Sequence, residues 1–130
     1  MSSEYEKLVL QGYDAWNRED RSWVLEHMRP DVEWLPPPDD PDARTYSGYA
    51  GVQEFWDQWR AAVGQLRFEP LEVTTHGSDV VVVAERRGKG TQSGLEIADE
   101  VIQVFSFDDE GRCFRVREFY DRGDAHRAVG

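Results

Sequence analysis

Apolar residues recur at helical spacing from Ser3 to about Arg18. Tyr5, Leu8, Val9, Tyr13 and Trp16 share one face, and Glu4, Lys7, Gln11 and Asp14 share the other. The pattern predicts a long amphipathic helix. Asp20 is placed to cap a second, shorter helix running to Met28, with Trp23 and Val24 turned inward and His27 a candidate to join them. Pro30 is expected to stop that helix, because the residue before a proline is pushed out of helical geometry. Asp31–Leu35 then reads as a short strand and Pro36–Asp42 as a stiff, exposed loop. A third helix begins at Ser47–Gly48 and runs to about Val63, with Val52, Phe55, Trp56, Trp59 and Val63 forming the stripe of a helix packed on a sheet. From Leu66 the period changes to two. Strands are expected near Leu66–Thr75, Val80–Gly90, Leu95–Phe107 and Arg112–Asp121, joined by turns at HGSD, SG and DDEG. A short C-terminal helix capped by Asp124 closes the chain.

Helices first, then a run of strands, with one short strand after the second helix, is an α+β order. No repeat or linker divides residues 1–130, so one domain is expected. A bent antiparallel sheet wrapped over the long helices makes a closed-ended cone, a natural small-molecule pocket. Five tryptophans in 130 residues suit either a bulky core or an aromatic-lined cavity. The net charge of −11 argues against nucleic acid and anionic membrane surfaces, which need clustered Lys and Arg. No apolar run is long enough for a signal peptide or a membrane span, and a cytoplasmic location is the default.

The most telling stretch is Arg112–Arg122, RCFRVREFYDR. Phe114, Val116, Glu118 and Tyr120 alternate onto one strand face; Cys113, Arg115, Arg117 and Phe119 fall on the other. The first face is apolar except for Glu118. If that face is buried, its carboxylate needs a partner, a shifted pKa or a ligand; if it looks into water, Glu118 is merely a surface charge. The alternation alone leaves both open.

Other candidates carry less. Asp39, Asp40 and Asp42 lie among prolines that break up any compact ligand loop, with no glycine turn or closing Glu. His27, His76 and His126 lack metal-ligand spacing, and Cys113 stands alone, so no metal, disulfide or cofactor is assigned. RGKGTQSG is glycine-rich and basic, but it lies inside a hairpin rather than ahead of a helix, where a phosphate cradle would have to sit.

YDAWNREDRSWVLEHMRPDVEW, GYAGVQEFWDQW, GKGTQSG and FSFDDEGRCFRVREFYDR together resemble SnoaL-like proteins of the nuclear transport factor two-like superfamily, which also holds ketosteroid isomerases, polyketide cyclases and limonene epoxide hydrolases. The resemblance implies a cystatin-like α+β barrel: three N-terminal helices on a strongly curved, mostly antiparallel sheet. It implies a homodimer through the outer sheet face, and it turns the Val116, Glu118, Tyr120 face inward. Tyr13 falls where the isomerases carry an oxyanion-hole tyrosine, Gln103 where they carry a second, protonated donor, and Trp34 where they carry the general-base Asp. Arg86 and Glu118 match two members of the epoxide hydrolase triad, and Gly88 takes the place of the third. Cyclases of the SnoaL kind keep a carboxylate near the Glu118 position.

These correspondences give Glu118, Arg86, Gln103 and Tyr13 as candidate catalytic residues, and Trp16, Val32, Trp34, Trp56, Phe105, Val116 and Tyr120 as candidate ligand contacts. The implied ligand is a small, largely apolar, oxygen-bearing molecule. If the protein is an enzyme, the implied chemistry is cofactor-free proton transfer next to a carbonyl, as in isomerisation or aldol-type cyclisation. A non-catalytic binding or dimerisation module is the alternative, in which Arg86 and Glu118 form a buried ion pair and the tryptophans fill the core. An epoxide hydrolase stands third.

Overall fold

The computed structural model describes residues 2–40, 43–90 and 92–129. Four helices and six strands follow in the order α1 (Ser2–Asn17), α2 (Arg21–Glu26), β1 (Met28–Leu35), β2 (Tyr46–Ser47), α3 (Gly48–Val63), β3 (Arg67–His76), β4 (Asp79–Lys89), β5 (Glu96–Phe107), β6 (Cys113–Phe119) and α4 (Arg122–Ala128). The strands form one sheet in the order β2-β1-β6-β5-β4-β3. It is curved, unclosed and antiparallel except where β1 runs parallel to β6. The architecture is the expected α+β cone.

α1, α2 and α3 cover the concave face, while α4 packs Ala125 on the other face against Val83, Ile102 and Val104. The apolar stripe of α1 (Val9 and Tyr13 buried, with Tyr5, Leu8 and Trp16 half-buried) meets that of α3 (Val52, Phe55, Trp56) and the inward residues Val80, Val82, Ala84 and Val116 of the sheet in one core. The end of α1 is laced to the start of β3. Trp16 Nε1 donates to the Leu66 carbonyl at 2.7 Å, and the Asn17 amide both donates to and accepts from the Phe68 backbone. Asp20 caps α2 by accepting from the Trp23 amide. At the start of α3, Gly48 turns the chain from β2 into the helix at φ +72°, and at its end Gly64 (φ +68°) donates back to Arg60. Both angles suit a residue without Cβ.

Several expectations need correcting. α2 ends at Glu26, and Pro30 lies inside β1 instead of stopping the helix. The strand tolerates it because the β1–β6 ladder shifts between Met28 and Glu33, so Pro30 owes no ladder bond there. β2, two residues long, was not foreseen. Pro36 and Pro37 are buried rather than exposed, while Pro41 and Asp42 of the same loop, and Thr91 of the glycine-rich hairpin, lie outside the described residues. Asp121, not Asp124, caps α4, accepting from the Asp124 amide.

The most consequential correction is in β6. Ser106 pairs with Arg115 and Phe107 with Cys113, so Phe114 is an extra, bulged residue. The bulge resets the alternation. Cys113 therefore joins Val116 and Glu118 on the inner side, while the Phe114 ring is approached by the guanidinium groups of Arg29 and Arg115.

Candidate functional site

Between the helices and the concave sheet lies a cavity of about 100 Å³, several times the space one water needs. Its walls are overwhelmingly apolar: Val9, Trp16, Phe55, Trp56, Trp59, Phe68 and Phe105 are among them. The polar groups in the wall come from separate elements. Glu118 on β6 stands directly across from Gln103 on β5, Tyr13 reaches over from α1, and Trp34 lies next door on β1, where it is registered with Val116.

These four side chains form one hydrogen-bonded chain. Trp34 Nε1 donates to Glu118 Oε1 at 2.9 Å, Gln103 Nε2 donates to Glu118 Oε2 at 2.9 Å, and the Tyr13 hydroxyl donates to Gln103 Oε1 at 2.6 Å. Donor logic fixes the directions. Burial, reinforced by the negative charge of Glu118, raises the Tyr13 pKa well above its ordinary value, so the phenol keeps its proton and donates it. The Gln103 carbonyl must accept that bond, which turns its amide nitrogen towards the carboxylate. The Tyr13 hydroxyl is thus committed to Gln103, while the side chain still lines the cavity.

Glu118 is only 4% exposed and has no ion-pair partner among the described residues. Burial pushes its carboxyl pKa upward. The bonds from Trp34 and Gln103 and the more distant charge of Arg86 pull it back, and Asp40 adds a further upward push; the net direction is up. Each carboxylate oxygen accepts one neutral donor. That leaves lone pairs on both for a ligand's proton.

Arg86 does not form the buried pair with Glu118 that the alternative reading required. Its partner is Asp99, registered directly opposite on β5, with Nε–Oδ1 at 3.0 Å and Nη2–Oδ2 at 2.7 Å. The guanidinium lies 4.6 Å from the Trp59 ring centre and donates to the Tyr120 hydroxyl, which in turn donates to Asp40. Burial alone would lower the Arg86 pKa, but the Asp99 and Tyr120 bonds outweigh it and hold the cation in place.

Of the sequence-derived contacts, Trp16, Trp34, Trp56 and Phe105 line the cavity alongside Tyr13, Arg86, Gln103 and Glu118. Val32 and Val116 do not: both are fully buried behind the wall. Tyr120 is 40% exposed and lies outside the cavity, held by Arg86 and Asp40. Sequence reasoning omitted Phe55, Trp59, Phe68 and His27 from the wall, and Asp99 as the partner of Arg86. Phe55 and Trp59 were legible in the α3 stripe; Asp99 becomes visible only with the β4–β5 register. The place of the missing triad carboxylate also has a physical explanation. A Cβ on Gly88 would come within 3.1 Å of Leu66 Cδ2 and 3.3 Å of Val63, so an acidic side chain there would require these neighbours to give by a few tenths of an ångström.

A curved, open sheet wrapped over three helices around an apolar cavity is the fold of the NTF2-like α+β cones. The chain belongs to the SnoaL-like domain family, which matches residues 9–116. Among solved structures it is similar to TerC co-crystallized with polyporic acid (25% identity, 96% of this chain and 97% of that one, TM-score 0.78). It is also similar to an NTF2-like protein from Burkholderia pseudomallei K96243 (24%, 96% of each chain, TM-score 0.80). A third is SalBIII, an epoxide hydrolase/cyclase-like enzyme in pyran ring formation in the polyether salinomycin (17%, 94% of each chain, TM-score 0.78). No curated relative matches the chain. Among the described residues, no helix is long and apolar enough to cross a membrane.

Proposed function

We propose that the protein binds a small, largely apolar, oxygen-bearing molecule in this cavity and catalyses cofactor-free proton transfer next to a carbonyl, with Glu118 as the acid/base. One observation carries the reading. Glu118 is a buried carboxylate in an apolar cavity wall, held by neutral donors instead of a cation, with its pKa raised. A general base works best when its pKa lies near the operating pH, and burial without an ion pair moves a Glu in that direction.

In this reading the Glu118 carboxylate removes a proton from the carbon beside a ligand carbonyl and returns it to another carbon. Gln103 and Trp34 fix the orientation of the carboxylate, and Tyr13 fixes that of Gln103. The second amide N–H of Gln103 and the Arg86 charge steady the developing oxyanion. The co-crystallization of TerC with polyporic acid and the role of SalBIII in pyran ring formation agree with a cavity of this kind serving oxygen-bearing molecules.

The non-catalytic binding module stays as a second reading because Tyr13, Gln103, Glu118 and Trp34 satisfy one another, as a structural network does. Epoxide hydrolysis by the triad is set aside: its middle carboxylate falls on Gly88, which has no side chain to activate water.

The test is hydrogen exchange. A panel of apolar cyclic ketones and enones is incubated with the protein in D₂O and followed by mass spectrometry. Deuterium uptake at the carbon beside the carbonyl, present with the native protein and lost with Glu118→Gln, is the expected result. Ligand binding without uptake across the panel would favour the binding module.

A further inference from the structure

The cavity has a second polar end. His27, at the junction of α2 and β1, lines it alongside Glu118. Its ring stacks on Trp23, with centres 3.8 Å apart and planes inclined by 20°, and its Nδ1 lies 2.7 Å from the Trp23 carbonyl. A carbonyl only accepts, so Nδ1 carries the proton. In the neutral ring that leaves Nε2 as a bare acceptor. Among the described residues, no hydrogen bond to Nε2 is present.

The fold sets His27 and Glu118 far apart along one strand. The Cys113 amide donates to the His27 carbonyl at 2.9 Å, which places His27 at the opening of β6, and Glu118 stands near the other end. Because Phe114 is bulged, Cys113 to Glu118 spans the four ladder steps from Phe107 to Gln103, about 13 Å at roughly 3.3 Å per residue. Alongside run Phe105 and Phe107, registered with Val116 and Cys113, and both line the cavity. Two acceptors thus flank an aromatic trough.

We infer that the ligand of this cavity is an elongated apolar molecule with a hydroxyl at each end, one donating to the Glu118 carboxylate and the other to His27 Nε2. This rests on the reading of the cavity as a ligand site, but not on Glu118 performing catalysis. His27 is then a specificity-determining contact, its ring fixed by Trp23 so that little rotational freedom is lost on binding.

The experiment compares three probes by isothermal titration calorimetry: 4,4′-dihydroxybiphenyl, 4-hydroxybiphenyl and 4,4′-dimethoxybiphenyl. The diol should bind about two- to tenfold more tightly than the mono-alcohol, the usual worth of one added hydrogen bond. The dimethoxy compound, which offers acceptors to acceptors, should gain nothing. His27→Phe keeps the stacking on Trp23 and should erase the diol's advantage. Should that variant misfold, ¹⁵N NMR of the native protein gives the same answer: the His27 Nε2 signal should move with the diol and stay put with the mono-alcohol. Equal affinities in the native protein, an advantage that survives His27→Phe, or an unmoved Nε2 signal would overturn the inference. Loss of proton exchange in Glu118→Gln reports on catalysis separately, so the two readings fail independently.

Discussion

Replacing Glu118 by Gln separates chemistry from folding, and the hydrogen-bond chain says how. Trp34 can still donate to the new amide oxygen. The new amide nitrogen then faces Gln103, which satisfies it by turning its own carbonyl round, and the Gln103 nitrogen donates to the Tyr13 hydroxyl, which accepts as well as it donates. Only the Tyr13 proton loses its acceptor, and because Arg86 is paired with Asp99 no cation is stranded. The usual loss of about 3–5 kcal/mol on breaking a buried ion pair should therefore be absent.

The pH dependence carries the sign. The folded pKa of Glu118 is raised, so between the ordinary Glu value and the folded one the native chain holds a proton that the unfolded chain has lost. The contribution of Glu118 to stability is fully present below the ordinary value, falls as pH rises through the window, and remains a net cost above it. Each tenfold displacement in acidity is worth about 1.4 kcal/mol, or a change in Tm of about 3–6 °C for a chain of this size. Glu118→Gln lacks the titration. Its Tm relative to the native protein should rise as pH is taken from about 4 to 8, while turnover falls by about two to four orders of magnitude. Thermal melts across that range and the deuterium assay read both. A Tm drop of about 10 °C or more at neutral pH, or undiminished exchange, would refute the reasoning.

Four further outcomes follow. Trp34→Phe removes a donor that holds the Glu118 pKa down, so the acid limb of the pH–rate profile should move to higher pH and stability should fall by about 1.5–3 kcal/mol, read by kinetics and denaturant titration. Asp99→Asn leaves the Arg86 guanidinium without its bidentate partner; because the Asp99 side chain is 41% exposed, the loss should be only about 1–2 kcal/mol, seen as a lower urea midpoint. Cys113 is buried with its thiol pKa pushed up to about 12, so the native protein should resist a thiol-reactive dye that labels the urea-unfolded chain at once. On the outer sheet face α4 already lies against Arg117 and Phe119, and the part beside it, with Arg115, motivates a homodimer through that face, which light scattering at micromolar concentration checks; a monomer mass would remove it.

Much of the fold was legible because its signals are local. The stripes of α1 and α3 and the alternation of β3 to β5 need only neighbouring residues, and Gly and Asp mark most of the turns. What escaped depends on pairing between distant residues. The bulge at Phe114 exists only against Ser106 and Phe107, and without it Cys113 reads as an outward residue. Pro30 reads as a helix stop until the broken β1–β6 ladder is seen to tolerate it. Arg86 looked like the natural partner of Glu118, and only the β4–β5 register brings Asp99 opposite it. Trp34 and Glu118 are bonded across 84 positions, a contact that no spacing rule reaches.

The central claim is that Glu118 is a buried proton-handling carboxyl rather than half of an ion pair. Its direct measurement is a ¹³C NMR titration of the Glu side-chain carboxyl signals, with the Glu118 resonance assigned by its absence in Glu118→Gln. The account predicts a midpoint above the ordinary Glu value of about 4.3, moving higher still in Trp34→Phe. A midpoint at or below that value would mean that a cation or stronger donors hold the charge, and Glu118 would then be a structural anchor and not a base.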